Sequence, residues 1–147
     1  MAGFLTPLQV EFIDGKKWRL TTRLEYRIGA PESNEAVVVP EGYLTDFASV
    51  PRGLWNIFPP TGAYGKAAVV HDFLYQQRIV HTNVNNAQYF GKYYVSRSQA
   101  DKIFLEAMNV LGVRWWPRVP VFLGVRAGGW VSWNKYREDE HATELEW

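Results

Sequence analysis

Polar and apolar residues alternate at the start of the chain. Gln9-Val10-Glu11-Phe12-Ile13 has the two-residue period of a half-buried strand, and the Asp14-Gly15 that follows is a strong hairpin signal. Lys16 to Leu20 reads as the returning strand, and Leu24-Glu25-Tyr26-Arg27-Ile28 alternates again. Gly29 to Glu35 is turn-rich. Ala36-Val37-Val38-Val39 is a short apolar run with β-branched residues, which predicts a more buried strand ending at Pro40-Glu41-Gly42.

The pattern then breaks. Pro40, Pro51, Pro59 and Pro60, with Gly42, Gly53, Gly62 and Gly65, leave no room for a long regular element between residues 40 and 65. An ordered loop of that length inside a small domain is often functional. From Lys66 to about Arg78 the small or apolar residues at 67, 68, 70, 71, 74 and 75 form a stripe with helical period. Residues 81–95, with Asn83, Asn85, Asn86 and Gly91, read as a mobile connection or a short extra element. A second helix is expected from near Ser98, with Ala100, Phe104, Ala107, Met108 and Leu111 buried and Gly112 as its C-terminal cap. A third is expected from about Pro120 to Tyr136, weakened in its middle by Gly128-Gly129. There is no internal repeat. The whole predicts an α+β fold in a single domain over residues 1–147. Its β-rich part (1–50) holds N-terminal antiparallel hairpins or a small sheet. A long Pro/Gly-rich loop (51–65), two or three packed helices (66–136) and a frayed tail (137–147) follow.

Composition narrows the function classes. A net charge of +1 supplies no field for nucleic acid, so no nucleic-acid partner is expected. The absence of cysteine excludes disulfides, thiolate metal sites and a Cys nucleophile. The first residues lack a signal peptide's charged and apolar regions, and Arg114, Arg118 and Arg126 interrupt the apolar runs before they reach transmembrane length. Seven Trp, among an aromatic content of 16%, serve either a core or an interface.

Three clusters carry candidate chemistry. In His71-Asp72-Phe73-Leu74-Tyr75, a helix places His71 and Tyr75 on one face and Asp72 about 100° round. A neutral imidazole there can act as general base, and the carboxylate can hold a divalent cation, calcium before zinc. Asp101, at the start of the second helix, would orient the imidazole if the two helices lie antiparallel, with Tyr75 donating to the same carboxylate. In Thr45-Asp46-Phe47-Ala48-Ser49-Val50-Pro51-Arg52, Asp46 would be a second metal ligand, and Ser49 and Arg52 would take a substrate or anion. Each residue also has a plainer reading. His71 can be a hydrogen-bonded core histidine, Asp101 the second half of a capping box begun at Ser98, and Asp46 a turn cap paired with Arg52. A zinc peptidase with Asp46 and His71 as ligands fits least, because the chain has only three His.

Two resemblances bear on these residues. Residues 40–52 (Pro40-Glu41-Gly42-Tyr43-Leu44-Thr45-Asp46-Phe47-Ala48-Ser49-Val50-Pro51-Arg52) resemble the signature of a phage and prophage protein family of unknown function. Ala67-Ala68-Val69-Val70-His71-Asp72-Phe73-Leu74-Tyr75 and residues 100–108 continue that signature in order. This implies a phage origin and no particular activity. Locally, Ala67-Ala68-x-x-His71-Asp72-x-x-Tyr75 with Ala100-Asp101-x-x-Phe104 is similar to the core of calcium-dependent phospholipases A2, above all the cysteine-free type in parvovirus capsids. That resemblance implies His71 as general base, Asp72 as calcium ligand, Asp101 orienting His71, and Tyr75 supporting Asp101. The family's glycine-rich calcium loop has no recognisable counterpart upstream, where only Gly53, Gly62 and Gly65 stand.

Two functions follow as expectations. One is a virion (tail or baseplate) or lysis-module protein with a His-Asp hydrolase-like site acting on lipid or cell-wall ester or amide bonds. The other is a non-enzymatic tail or baseplate component that assembles with other phage structural proteins through Trp115, Trp116, Trp130 and Trp133. Either places the chain in the virion or the host cytoplasm.

Overall fold

A computed structural model describes residues 3–4, 8–14, 17–30, 32–45, 65–82, 91–112, 115–131 and 133–137. Chain order is β1 (Gly3–Phe4), β2 (Val10–Asp14), β3 (Lys17–Leu20), β4 (Leu24–Arg27), β5 (Ala36–Val39), β6 (Leu44–Thr45), α1 (Gly65–Gln77), β7 (Ile79–Thr82), β8 (Gly91–Tyr94), α2 (Arg97–Val110) and α3 (Trp115–Gly128). Helical residues resume at 130 and run to 137 among those described. The architecture is α+β with two antiparallel sheets, β1-β4-β5-β7-β8 and β2-β3-β6.

The N-terminal strands pair as read, but the first is not half-buried, since Phe12 and Ile13 are exposed. Val10, Glu11 and Phe12 pair with Leu20, Arg19 and Trp18, and Asp14 faces Lys17 after a register shift. Leu24 and Tyr26 on β4, Val37 and Val39 on β5, and Val80 on β7 are fully buried and join the main core. The intervening Ala36 and Val38 are buried in a separate cluster, as expected for a strand covered on both faces.

Helix α1 differs from its expected stripe. Every residue from Ala67 to Tyr75 is buried, because the helix contacts β5 and β6 as well as α2. A helix enclosed in this way hides its polar residues along with its apolar ones. His71 and Asp72 therefore point in different directions, and both lie inside the protein. Arg78 follows in the left-handed conformation (φ 61°) and turns the chain straight into β7.

Of the two readings of residues 81–95, the described residues bear out the short extra element. Ile79-Val80-His81-Thr82 and Gly91-Lys92-Tyr93-Tyr94 form an antiparallel pair, Ile79 opposite Tyr94 and Thr82 opposite Gly91. Their β-branched and aromatic residues favour a pleated surface. The three Asn that suggested a loop fall at 83–86, between the strands and outside the described residues.

The cap of helix α2 is Ser96, two residues before the expected Ser98. The Ser96 hydroxyl accepts from the Gln99 amide, and the Gln99 side chain accepts from the Ser96 amide, a complete capping box. Gly112 ends the helix at φ 79°, as its position predicts. Helix α3 begins at Trp115 rather than near Pro120. Pro117 falls in its first turn, where amides lack intrahelical partners in any case. A turn at Gly129 separates α3 from the last helical residues, close to where the glycine pair was expected to weaken a single helix.

Candidate functional site

Asp101 is the convergence point. It lies one turn into α2, at a place the Ser96–Gln99 box fixes, and it is 0% exposed. His71 Nε2 lies 2.7 Å from its Oδ1, and the Tyr75 hydroxyl donates to the same oxygen at 2.6 Å. Arg126 of α3 donates to Oδ2 at 2.7 Å, and the Arg97 guanidinium lies 3.7 Å from that oxygen. One carboxylate thus gathers groups from three helices. The capping-box reading of Asp101 is overturned, since that role belongs to Gln99.

His71 is 2% exposed. It stacks on Phe104 at 4.4 Å between centroids and tilts against Tyr75 at 4.2 Å. Burial lowers the His71 pKa below its ordinary 6.5, and the bond to Asp101 offsets part of that fall. For Asp101, burial works to raise the pKa. The bonds from His71, Tyr75 and Arg126 outweigh it and leave the carboxyl below its ordinary value. Near neutral pH the pair is a neutral imidazole beside a carboxylate. An ionised carboxylate only accepts, so Nε2 carries the ring proton and Nδ1 the lone pair. Burial, together with Asp101, raises the Tyr75 pKa, so its hydroxyl stays a donor.

Tyr75 in turn is held from the C-terminal side. Trp133 meets its ring edge-on at 5.3 Å. Gly129 leaves no space beside its hydroxyl, since a Cβ there would overlap Tyr75 Oη and lie 2.5 Å from the Val125 carbonyl. Arg137 donates to the Tyr75 and Gln76 carbonyls at 2.8 and 2.7 Å, closing the C-terminus of α1.

Asp72 occupies a separate polar pocket. Its Oδ2 accepts from Thr45 at 2.8 Å and from Tyr43 at 3.3 Å, and its Oδ1 from Tyr136 at 3.5 Å. Calcium takes six to eight oxygen ligands. Here three hydroxyl protons point at the one carboxylate, and no three His, Cys, Asp or Glu side chains come together among the described residues. Among the described residues, Asp72 and its three hydroxyl partners fall short of that shell. Asp46, Ser49 and Arg52 lie outside the described residues.

The fold therefore brings His71, Tyr75 and Asp101 together and gives Asp72 its own partners. Sequence reading did not find Arg97, Arg126, Gly129, Tyr136 or Arg137. Arg126, Gly129, Tyr136 and Arg137 reach the site across tertiary contacts that no local spacing encodes, whereas Arg97 stands one turn before Asp101 on the same helix.

An α+β domain with a buried His-Asp-Tyr cluster between its helices is the class that fold and site define. The chain belongs to the DUF1353 family, described as protein of unknown function, which it matches over residues 18–125. No curated protein and no solved structure matches the chain.

Proposed function

We propose that the chain is a phage-encoded hydrolase, acting from the virion tail or baseplate or from a lysis module, whose His71 activates water against an ester or amide bond of the host envelope. The observation that carries this reading is the 2.7 Å contact between His71 Nε2 and Asp101 Oδ1. With that tautomer held, Nδ1 takes a proton from water as the water oxygen bonds to the carbonyl carbon. Asp101 stabilises the imidazolium that forms. The bond to the leaving oxygen or nitrogen then breaks, and the proton passes from His71 to the leaving atom. No step runs through a cation. Because His71 is buried, turnover requires an opening of the packing over the ring, and that opening gates the rate. The phage setting rests on the resemblance of the three sequence blocks.

The test is hydrolysis of fluorogenic phospholipid esters and of purified peptidoglycan by wild type, His71→Asn and Asp101→Asn. Wild-type turnover is expected to fall by about 10²-fold or more in His71→Asn, the usual scale of general-base catalysis. Turnover that survives in a folded His71→Asn protein removes the proposal.

One observation favours the assembly reading. Trp130 is 54% exposed, so at least one of the four tryptophans expected at an interface is available to a partner.

A further inference from the structure

Among the described side chains from residue 121 to 131, the outer side of α3 and of the helical residues beyond it carries no charge, and exposed Lys135 follows one turn after Val131. Leu123, Gly124, Ala127, Gly128, Trp130 and Val131 are all exposed, and the three large ones reach 59%, 54% and 57% for Leu123, Trp130 and Val131. A Cβ built on Gly124 or Gly128 meets nothing within 4 Å, so the space above this side is open. The Gly129 amide bonds the Val125 carbonyl at 2.7 Å and the Trp133 amide bonds the Gly129 carbonyl at 3.0 Å. Helical spacing thus persists through the turn, and residues three and four apart from 123 to 131 share one side. The inner side is already occupied, by Val121, Phe122 and Val125 on the core and Arg126 on Asp101. Single exposed apolar residues are ordinary, but three large ones in nine positions make a contiguous patch.

Charge selects the occupant. From residue 107 to residue 137 the sequence has no Asp or Glu, while Arg114, Arg118, Arg126, Lys135 and Arg137 are basic. Asp101 offsets Arg126, which leaves the segment positive. Two copies of such a segment repel each other, whereas anionic headgroups attract it. Trp and Leu on one side of a basic helix is the composition that settles into a bilayer interface. Acidic residues resume only after it in the sequence, at Glu138, Asp139, Glu140, Glu144 and Glu146.

We propose that the face formed by Leu123, Gly124, Ala127, Gly128, Trp130 and Val131 rests on an anionic lipid surface. The inference stands on this face alone and holds whether or not His71 turns over a substrate.

The experiment is flotation of the full chain with vesicles of equal phosphatidylglycerol and phosphatidylcholine, and with vesicles of phosphatidylcholine alone. The Leu123→Ser/Trp130→Ser variant and His71→Asn are run beside wild type. Both altered side chains of the double variant are exposed, so its circular dichroism and melting temperature should match wild type. Wild type and His71→Asn are expected to bind the anionic vesicles alike. The double variant should bind them about tenfold more weakly or less, since it loses two apolar side chains from the contact. Binding by wild type should also weaken as salt rises. Three results overturn the proposal: no binding to either vesicle, binding that the double substitution leaves intact, or a wild-type dimer in sedimentation equilibrium that the same substitution dissolves.

Discussion

Protonation sets the behaviour of single residues here. The folded state holds His71 neutral, with its pKa lowered by burial, while the unfolded chain titrates near 6.5. Above that pH both states are neutral and His71 contributes no pH dependence. As pH falls from about 6.5 toward the folded value, the unfolded state binds a proton that the folded state refuses, and stability is lost. Asp101, with its folded pKa below the ordinary 3.8, adds a further loss as pH falls through its own lower value. Urea midpoints measured from pH 8 to pH 4 should therefore decline below about 6.5 in wild type. His71→Gln should remove the upper part of that decline. A decline of the same size in His71→Gln would mean another group is responsible. Asp72 makes a separate prediction. Its carboxylate already accepts three hydroxyls, so calcium is expected to leave the melting temperature of wild type unchanged. A calcium-dependent rise that Asp72→Asn abolishes would instead assign Asp72 to a cation site, with Asp46 as its expected companion.

Among the elements, the helix ends hold the site. Arg97 at the start of α2 reaches the Val125 and Arg126 carbonyls at 3.4 and 3.2 Å, and Arg137 closes the end of α1. Neither α1 nor α2 carries a basic residue in its own last turn, so for α1 the closing cation comes from elsewhere in the chain. The glycines of α3 give a test with opposite signs. Gly129→Ala places a methyl against Tyr75 and is expected to destabilise by about 1–3 kcal/mol. Gly124→Ala enters open space in a helix and is expected to stabilise by about 0.5–1 kcal/mol. Thermal melts of the two variants check both signs, and similar shifts in both would mean that the Gly129–Tyr75 approach is not what matters. The same elements show what was legible in the sequence. Ala36–Val39 was legible because burial on both faces leaves an unbroken apolar run, and the apolar positions of α2 because burial on one face leaves a period. Strands β7 and β8 were not, because three Asn between them outweighed four-residue runs of Ile, Val, Thr and Tyr. Two-residue β1 and β6 are too short to carry any period. His71, Tyr75 and Asp101 were legible as a set because two of them sit one turn apart on α1. Arg126, 25 residues beyond Asp101, left no local mark.

For the whole molecule, the centre is α1, contacting β5, β6 and α2, while α2 in turn contacts α3. This arrangement leaves α3 with one side on the core and one side open. Arg126, on the inner side of α3, links that helix to the His71 pair through Asp101. Among the described residues no helix is long and apolar enough to cross a membrane, so the proposed lipid contact is one of lying on a surface.

The gathering of α1, α2 and α3 on one carboxylate has a consequence for how the protein comes apart. Pulling any one helix away would strand a buried charge or an unmet donor on the others, at a penalty of several kcal/mol when a buried ion loses its partner. Partial opening of the helical layer is therefore suppressed, and its three members share one free energy of release. Asp101 makes them a single cooperative unit, so that any opening able to free the His71 ring is a concerted event.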